Sequence, residues 1–278
     1  MTLQLTGLSE GFPAYREFYG EPIVQMPLLV SGKDEQGNVV DIAREPASFA
    51  YVIERRMKAP LDVRKAWQEN DFYTGDGSTS GTKGDHLIVL DAQALREMNP
   101  KREIYQWELI LPTDAWQELK SEITKDNSKG VYLNAEEVQE AKNKGYVRQN
   151  GVWTPANKSV AKVWDVLGRG RDLTSYVQLV SEDSPNSNSL LRVYFNKTTK
   201  NSNPTMLSWV AGKTDNYSCA DGVSLPYYGG GRLVGVAPEA HVAREKALEA
   251  RVQSALNSGS AFEFNGIVYA PVSGVSLK

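Results

Sequence analysis

Residues 73–112, YTGDGSTSGTKGDHLIVLDAQALREMNPKREIYQWELILP, contain four glycines within ten positions and two of the clearest strand patterns in the chain. A polar run with four glycines, at positions 75, 77, 81 and 84, is followed by apolar runs at 87–90 and 109–111. Glycines within a polar run mark a turn or a loop. We therefore predict a glycine-rich hairpin loop, which includes the Ser-Thr-Ser triplet at 78–80, between two core strands.

The same glycine-rich loop is a candidate anion site. Glycine permits backbone conformations in which N–H groups converge on an anion, and Lys83 lies within the loop. The nucleotide-binding P-loop needs Gly, four residues and then Gly-Lys-Ser/Thr, whereas Lys83 follows Thr82 and precedes Gly84. A second glycine-rich segment, at 229–232, ends in Arg232. One hypothesis is therefore a small-anion or nucleotide-binding protein that uses Lys83 and Arg232.

Another interpretation joins the Ser-Thr-Ser triplet, which begins at Ser78, to Gln106-Trp107-Glu108 and to the earlier Arg44. This pattern resembles that of arginine-serine-glutamate ADP-ribosyltransferases. The resemblance implies an enzyme that uses NAD, with Glu108 and Gln106 at the reacting ribose, Ser78 supporting the glutamate and Arg44 binding the pyrophosphate. It covers a few scattered residues. The alternative is that Gln106 and Glu108 are the solvent-facing half of an alternating strand.

The composition is that of an ordinary globular protein. Of the 278 residues, 41% are hydrophobic and 23% are charged, and 31 basic against 34 acidic side chains give a net charge of -3. Binding to a phosphate backbone needs a basic excess or a basic stripe, but here basic and acidic residues are interspersed. We predict no nucleic-acid partner.

Cysteine and histidine are scarce, which limits metal and redox chemistry. Cys219 is the only cysteine, so no intrachain disulfide can form. His86 and His241 are the only histidines, and we predict no metal site and no cofactor other than NAD under the ADP-ribosyltransferase hypothesis. We expect His86 to lie at the edge of a strand.

No targeting signal is evident. No run reaches the roughly 20 apolar residues of a membrane span, and the first residues lack the charged and apolar regions of a signal peptide. These observations predict a protein without membrane association, cytoplasmic or otherwise non-secreted.

The first segment of the chain reads as a hairpin. The apolar run 23–30 contains Pro27, which favours an edge strand because proline cannot donate a ladder hydrogen bond. A turn is predicted at 33–38, followed by a return strand that leads to Arg44.

Two helices are predicted next, one starting at Pro46 and one at 61–68. Leu61 and Trp67 are candidate core residues of the second helix. We expect Arg56 to lie outside the apolar stripe of the first.

The second half of the chain contains a loose internal repeat of a helix, a glycine and an Asn-Gly hairpin. The hairpins fall at 146–153 and 262–269. Either a small αββ module has been duplicated, or two independent hairpins share a common turn chemistry. Three strand-like runs between them, at 174–180, 190–195 and 206–210, predict an antiparallel meander.

Hairpins outnumber βαβ units, so we predict an α+β fold with mainly antiparallel sheets and several amphipathic helices. A chain of this length accommodates two domains. The polar turn near residue 127 divides it into an N-terminal α+β domain at 1–126, with the glycine-rich loop, and a C-terminal α+β domain at 130–278, with the two helix-plus-hairpin units.

The sequence alone does not determine the activity. The favoured hypothesis is a non-catalytic binding or assembly protein with a protein partner or self-association, because the catalytic patterns are weak. The ADP-ribosyltransferase-like enzyme and the small-anion or nucleotide-binding protein are the alternatives.

Overall fold

The structure is a computed structural model, and it describes residues 15–34, 36–98, 104–105, 108–195, 203–215, 218–222, 232–238, 250, 252–255, 257–258, 262–264 and 267–269. The helices are α1 (Pro22–Ser31), α2 (Phe49–Lys58), α3 (Leu61–Gln68), α4 (Gln93–Arg96), α5 (Ala115–Lys125), α6 (Ala135–Ala141), α7 (Lys158–Leu167) and α8 (Thr174–Asp183). The strands are β1 (Tyr15–Tyr19), β2 (Glu45–Pro46), β3 (Phe72–Ser80), β4 (His86–Val89), β5 (Ile104–Tyr105), β6 (Glu108–Ile110), β7 (Gly130–Leu133), β8 (Tyr146–Gln149), β9 (Val152–Pro155), β10 (Ser189–Leu190), β11 (Arg192–Phe195), β12 (Thr205–Ala211), β13 (Cys219–Gly222), β14 (Arg232–Val236), β15 (Phe262–Phe264) and β16 (Ile267–Tyr269).

One large mixed sheet organises the fold. Its main path runs β1-β14-β3-β12-β13-β11, and β4 joins β3 to β7 on one side. Most neighbours are antiparallel, while β14 with β3 and β11 with β13 are parallel. Two smaller sheets are β10-β8-β9 and β15-β16. The predicted α+β class with mainly antiparallel pairing is therefore confirmed.

Helices cover both faces of this sheet, and alternate residues of the strands point into two separate cores. The first core includes Ile88 of β4 and Trp209 of β12, together with residues of α2, α3, α7 and α8. The second core includes Leu87 of β4 and Met206 of β12, together with residues of α1, α4 and α5. A sheet that is covered by helices on both faces has little room for solvent at its centre.

Strand β3 is the central element, and all nine of its residues are buried. It contains the Ser-Thr-Ser triplet 78–80, so the prediction that this triplet lies in a loop was wrong. Two of the glycines that prompted the prediction are there for close packing: a Cβ at Gly77 would lie 2.9 Å from the Ala92 Cβ, and one at Gly75 would lie 3.0 Å from the Pro46 Cβ. The loop begins only at Gly81.

Two segments predicted as strands are helices. Residues 23–30 belong to α1, with Pro27 inside the helix, and residues 174–180 belong to α8. A short apolar run fits a buried strand and a buried helix equally well by periodicity. The return strand predicted after residue 38 is reduced to an isolated bridge between Lys33 and Val39.

Helix α3 has the predicted bounds, but the predicted start of the preceding helix at Pro46 was wrong, because Pro46 belongs to β2 and α2 begins at Phe49 after the Ser48 cap. Two side chains of these helices also differ from their predicted positions. Leu61 is 80% exposed, whereas Trp67 is fully buried as expected. Arg56 is fully buried. Its guanidinium donates to the carbonyl oxygens of Trp67 and Gly212, among others, at 2.9 and 2.7 Å. The charged side chain is tolerated in the core because backbone carbonyls satisfy it.

Both predicted hairpins are present. The β8–β9 pair follows α6, whose capping box joins Asn134 and Glu137, and the β15–β16 pair lies at the second position.

The segments on either side of residue 127 share the large sheet, since β3 pairs with β12 and β14. The division into two domains stays a prediction about independent folding. Among the described residues, no helix combines the length and the apolar character needed to cross a bilayer.

Candidate functional site

The turn between β3 and β4 forms one wall of a small cleft. The N–H of Gly81 donates to the carbonyl oxygen of Asp85 at 2.8 Å, which closes the turn, and Gly84 adopts a left-handed φ of +80°. A Cβ at Gly81 would collide with the carboxylate of Asp85 and with the ring of Trp116. Glycine at this position therefore lets both side chains reach the backbone of the turn.

The first turns of α5 form the opposite wall. This helix starts after Asp114 and places Trp116, Gln117 and Lys120 beside the β3–β4 turn. Trp116 is 8% exposed and packs into the second core. The Lys120 ammonium lies 3.7 Å from the ring centroid of Tyr132 on β7, a cation–π contact that holds the lysine in place.

We call the space between these walls the turn cleft. Its volume is about 190 Å³. It is lined by Ser80, Gly81, Thr82, Lys83, Asp85, Thr113, Trp116, Gln117, Lys120, Asn203 and Pro204. Most of these residues carry hydrogen-bond donors, so the cleft suits a small polar ligand.

Two lysines and one carboxylate set the charge of the turn cleft. The Asp85 carboxylate accepts a hydrogen bond from the Tyr132 hydroxyl at 3.3 Å and lies 3.8 Å from the Lys120 ammonium. Lys83 is exposed, and it makes no hydrogen bond or ion pair with any residue that the structure describes. The cleft therefore carries a net positive charge.

A buried hydrogen-bond chain runs beneath the turn cleft. The ring nitrogens of His86 lie 3.1 Å from the Ser78 and Ser80 hydroxyls, and Ser78 donates to the Gly222 carbonyl oxygen at 3.1 Å. Ser78 therefore accepts from His86 Nε2–H, and His86 Nδ1 accepts from Ser80. His86 is the first residue of β4, which lies between β3 and β7, and its side chain is 1% exposed.

The environment of His86 disfavours acid–base catalysis. Burial lowers its pKa to about 3, because the charged form would lose its hydration. The ring also packs edge-on against Phe195 and Trp209, with centroids 4.8 and 6.0 Å away. A neutral, enclosed imidazole with both nitrogens bonded stabilises the sheet and has no access to a substrate.

Asp76, next along the same face of β3, has a structural role of its own. Its carboxylate accepts from the Phe49 N–H at the start of α2 at 2.7 Å and from the Asp91 N–H at 3.0 Å. Arg169 lies 3.3 Å away and also pairs with Asp91 at 2.9 Å. Burial raises the pKa of Asp76, while these hydrogen bonds and Arg169 favour the ionised form. The group links α2, β3 and the end of α7.

Three of the residues in the ADP-ribosyltransferase pattern have separate partners. Arg44 is 5% exposed, and its Nε donates to Asp41 at 2.9 Å. Glu108 on β6 accepts from the Thr205 hydroxyl. Strand β12 lies between Ser78 and Glu108, since its Met206 pairs with β3 on one edge and with β6 on the other. Two interstrand spacings, roughly 10 Å, therefore separate their backbones.

The two predicted anion-binding residues lie at opposite ends of β3. Arg232 is 7% exposed, pairs with Glu17 at 2.7 Å and lies next to Leu233, which is opposite Tyr73. Lys83 follows the other end of the strand. Nine extended residues span roughly 30 Å, so one small anion cannot contact both side chains.

Several predicted residues lie outside the described part of the chain. These are Gln106, which belongs to the ADP-ribosyltransferase pattern, and the glycines of segment 229–231. Within the described ranges, no group of three or more His, Cys, Asp or Glu side chains could hold a metal ion. Burial raises the pKa of the Cys219 thiol to about 12, so this cysteine is a poor nucleophile.

Sequence reasoning identified Lys83 but missed most of the turn cleft. Trp116 was assigned to the core because of its helical spacing, and it does pack there while its edge borders the cleft. Asp85 and Lys120 lie 35 positions apart in the chain. The one available signal was the glycine-rich turn itself, in which Lys83 precedes Gly84 and Asp85 follows it.

Comparison with known proteins supports the fold. No protein-family model matches the sequence, and no curated protein matches it. One solved structure, described as "Accommodation of massive sequence variation in Nanoarchaeota by the C-type lectin fold", is similar with a TM-score of 0.53 and 14% identity. The match covers 80% of this chain and 97% of that one. At this identity the likeness concerns the fold alone: this chain shares the C-type lectin fold.

Proposed function

We propose that this protein is a non-catalytic binding protein whose partner is another protein or a second copy of this chain. The observation that carries the proposal is the likeness to the C-type lectin fold. Function has to be argued from sites as well as from folds, and two features of the site agree with a binding role.

The first feature is the state of the polar groups that could have been catalytic. His86 is neutral and enclosed, Arg44 is bonded to Asp41, and Ser78 is bonded to His86 and Gly222. A catalytic group has to reach a substrate within hydrogen-bond distance. These polar groups hydrogen-bond to other residues of the chain and stabilise the fold, which agrees with a non-catalytic role.

The second feature is the contrast between a fixed interior and polar exposed loops. Strands β3 and β12 are buried along their whole length, whereas the turns at their ends carry exposed polar residues such as Lys83. The similar Nanoarchaeota structure is described as accommodating massive sequence variation. A rigid sheet that carries interchangeable loops is a common arrangement for binding.

NAD turnover and thermal unfolding together test the proposal against the enzyme alternative. We expect no NAD consumption and no shift of the unfolding midpoint at millimolar NAD, because a ligand that binds the folded state has to raise that midpoint. Glu108→Gln should behave like the wild type, as should Glu118→Gln, a matched change at an exposed position of α5. NAD turnover that is lost in Glu108→Gln and kept in Glu118→Gln would overturn the proposal.

Light scattering over a range of protein concentrations separates the two kinds of partner. A concentration-dependent dimer would identify a second copy as the partner. If the protein is a monomer at all concentrations, the remaining candidate partner is a different protein.

A further inference from the structure

The turn cleft contains a cation whose charge is not balanced locally. Asp85 is already engaged by the Tyr132 hydroxyl and by Lys120. Its carboxylate is also shielded, with a side chain that is only 11% exposed. Lys83 on the opposite side of Gly84 has no hydrogen bond or ion pair with the described residues. An incoming anion would therefore meet Lys83 first and Lys120 next.

The uncharged lining is rich in donors. The Thr113 hydroxyl donates to Asn203 Oδ1 at 3.0 Å, which fixes the amide so that its nitrogen is the remaining polar atom. Gln117 and Thr82 add an amide and a hydroxyl. Oxyanions have several acceptor atoms, and they are bound where such donors converge beside a positive charge.

The start of α5 adds to this preference. Trp116 and Gln117 belong to the first turn of an eleven-residue helix, and the partial positive charge of a helix N-terminus favours anions. The helix N-terminus adds to the positive potential of the two lysines. Without those lysines it would not define an anion site.

The size of the turn cleft limits the ligand. A volume of about 190 Å³ is below the range of roughly 300 to 1,000 Å³ that is usual for drug-sized ligands. The cleft is large enough for one charged group with a few attached atoms. Trp116 closes one side of it with an apolar surface.

From these observations we infer that the turn cleft binds a small oxyanion, a phosphate or a carboxylate group, between Lys83 and Lys120. Asp85 orients Lys120 and does not contact the anion. The inference goes beyond the proposed binding function, because it adds a small ligand of stated chemical class to the protein partner.

Calorimetric titration of the full chain with inorganic phosphate and, separately, with malonate tests this inference at constant ionic strength kept with chloride. We expect saturable binding of at least one of the two anions, and the anion that binds identifies the source as phosphate or carboxylate. Lys83→Gln should weaken binding about tenfold, in line with the loss of one charge-assisted hydrogen bond.

Lys125→Gln is the matched control, because Lys125 is an exposed lysine at the other end of α5. It should bind like the wild type. A second variant, Lys120→Met, keeps the volume of the side chain and removes its charge, and it should also weaken binding. Absence of saturable binding by both anions, or equal binding by the wild type, Lys83→Gln and Lys120→Met, would overturn the inference. Neither result bears on the proposed function as a non-catalytic binding protein. That proposal would be overturned by NAD turnover that depends on Glu108.

Discussion

Arg56 of α2 donates a hydrogen bond of 2.8 Å to the hydroxyl of Tyr176 on α8, across 120 positions of sequence. Both side chains are fully buried or nearly so. The other guanidinium bonds lead to carbonyl oxygens of α3, of residue 70 and of the end of β12. The Arg56 side chain thus connects α2, α3 and α8 to the large sheet.

Arg56→Lys should destabilise the protein by about 2 to 4 kcal/mol, because an ammonium cannot reproduce the planar set of donors and buried carbonyls are left unsatisfied. Urea denaturation measures the loss. Arg148→Lys is a matched control at an exposed position of β8 and should change the free energy of unfolding by less than about 0.5 kcal/mol. Equal effects of the two changes would refute this role of Arg56.

The neutral state of His86 predicts a pH dependence. The pKa is about 3 in the folded protein and 6.5 in an unfolded chain, so the unfolded chain takes up the proton first. The stabilisation is complete above pH 6.5 and is lost as the pH falls towards 3, with a slope of about 1.4 kcal/mol per pH unit.

Urea denaturation of the wild type and of His86→Gln between pH 7 and pH 5 checks this slope. The variant keeps every carboxylate and also His241, so the difference between the two proteins isolates His86. We expect the wild type to lose roughly 2 kcal/mol more than the variant over this range. Parallel curves would mean that His86 takes up its proton equally in both states.

Two glycines of the first helix-plus-hairpin unit should respond to alanine for different reasons. A Cβ at Gly145 would lie 2.7 Å from the Leu191 carbonyl oxygen and closer still to that of Leu190, whereas Gly151 has open space but a φ of +83°. Gly145→Ala should cost about 2 to 3 kcal/mol through steric overlap. Gly151→Ala should cost about 1 kcal/mol through backbone conformation. Thermal unfolding measures both, and the reverse order would contradict the packing of Gly145.

The proposed domain division predicts that residues 1–126 and 130–278 unfold separately. Because β3 pairs with β12 and β14, we expect the opposite result: one transition for the whole chain and no cooperative transition for either fragment. Circular dichroism of the three proteins during heating distinguishes these outcomes. A cooperative transition in either fragment would establish it as a domain.

Much of the secondary structure could be predicted from local signals. Helix α3 has the predicted bounds, and the Asn-Gly turn at 150–151 correctly indicated a hairpin. Helix α1 could not be distinguished from a strand, because ten mostly apolar residues show no clear period. The burial of Arg56 depends on carbonyl groups more than 150 positions away, which no local pattern reveals.

The candidate site was predictable only in part for the same reason. Lys83 belongs to a glycine-rich turn that local composition marks clearly. Trp116 and Asn203 reach the turn cleft through the packing of α5 and of the segment before β12. Long-range packing of this kind leaves no spacing signal in a single sequence.

The serines of β3 also determine which alignment of strands is possible. Ser78 lies opposite Leu207 on one side and Ile88 on the other, and its hydroxyl faces His86. A slip of one residue would turn the hydroxyls towards Met206 and leave the imidazole without partners. The register of the strands is thus determined by buried contacts within the sheet. Exposed side chains of the turns at its ends, such as Lys83, take no part in these contacts, so the alignment of the strands does not depend on them.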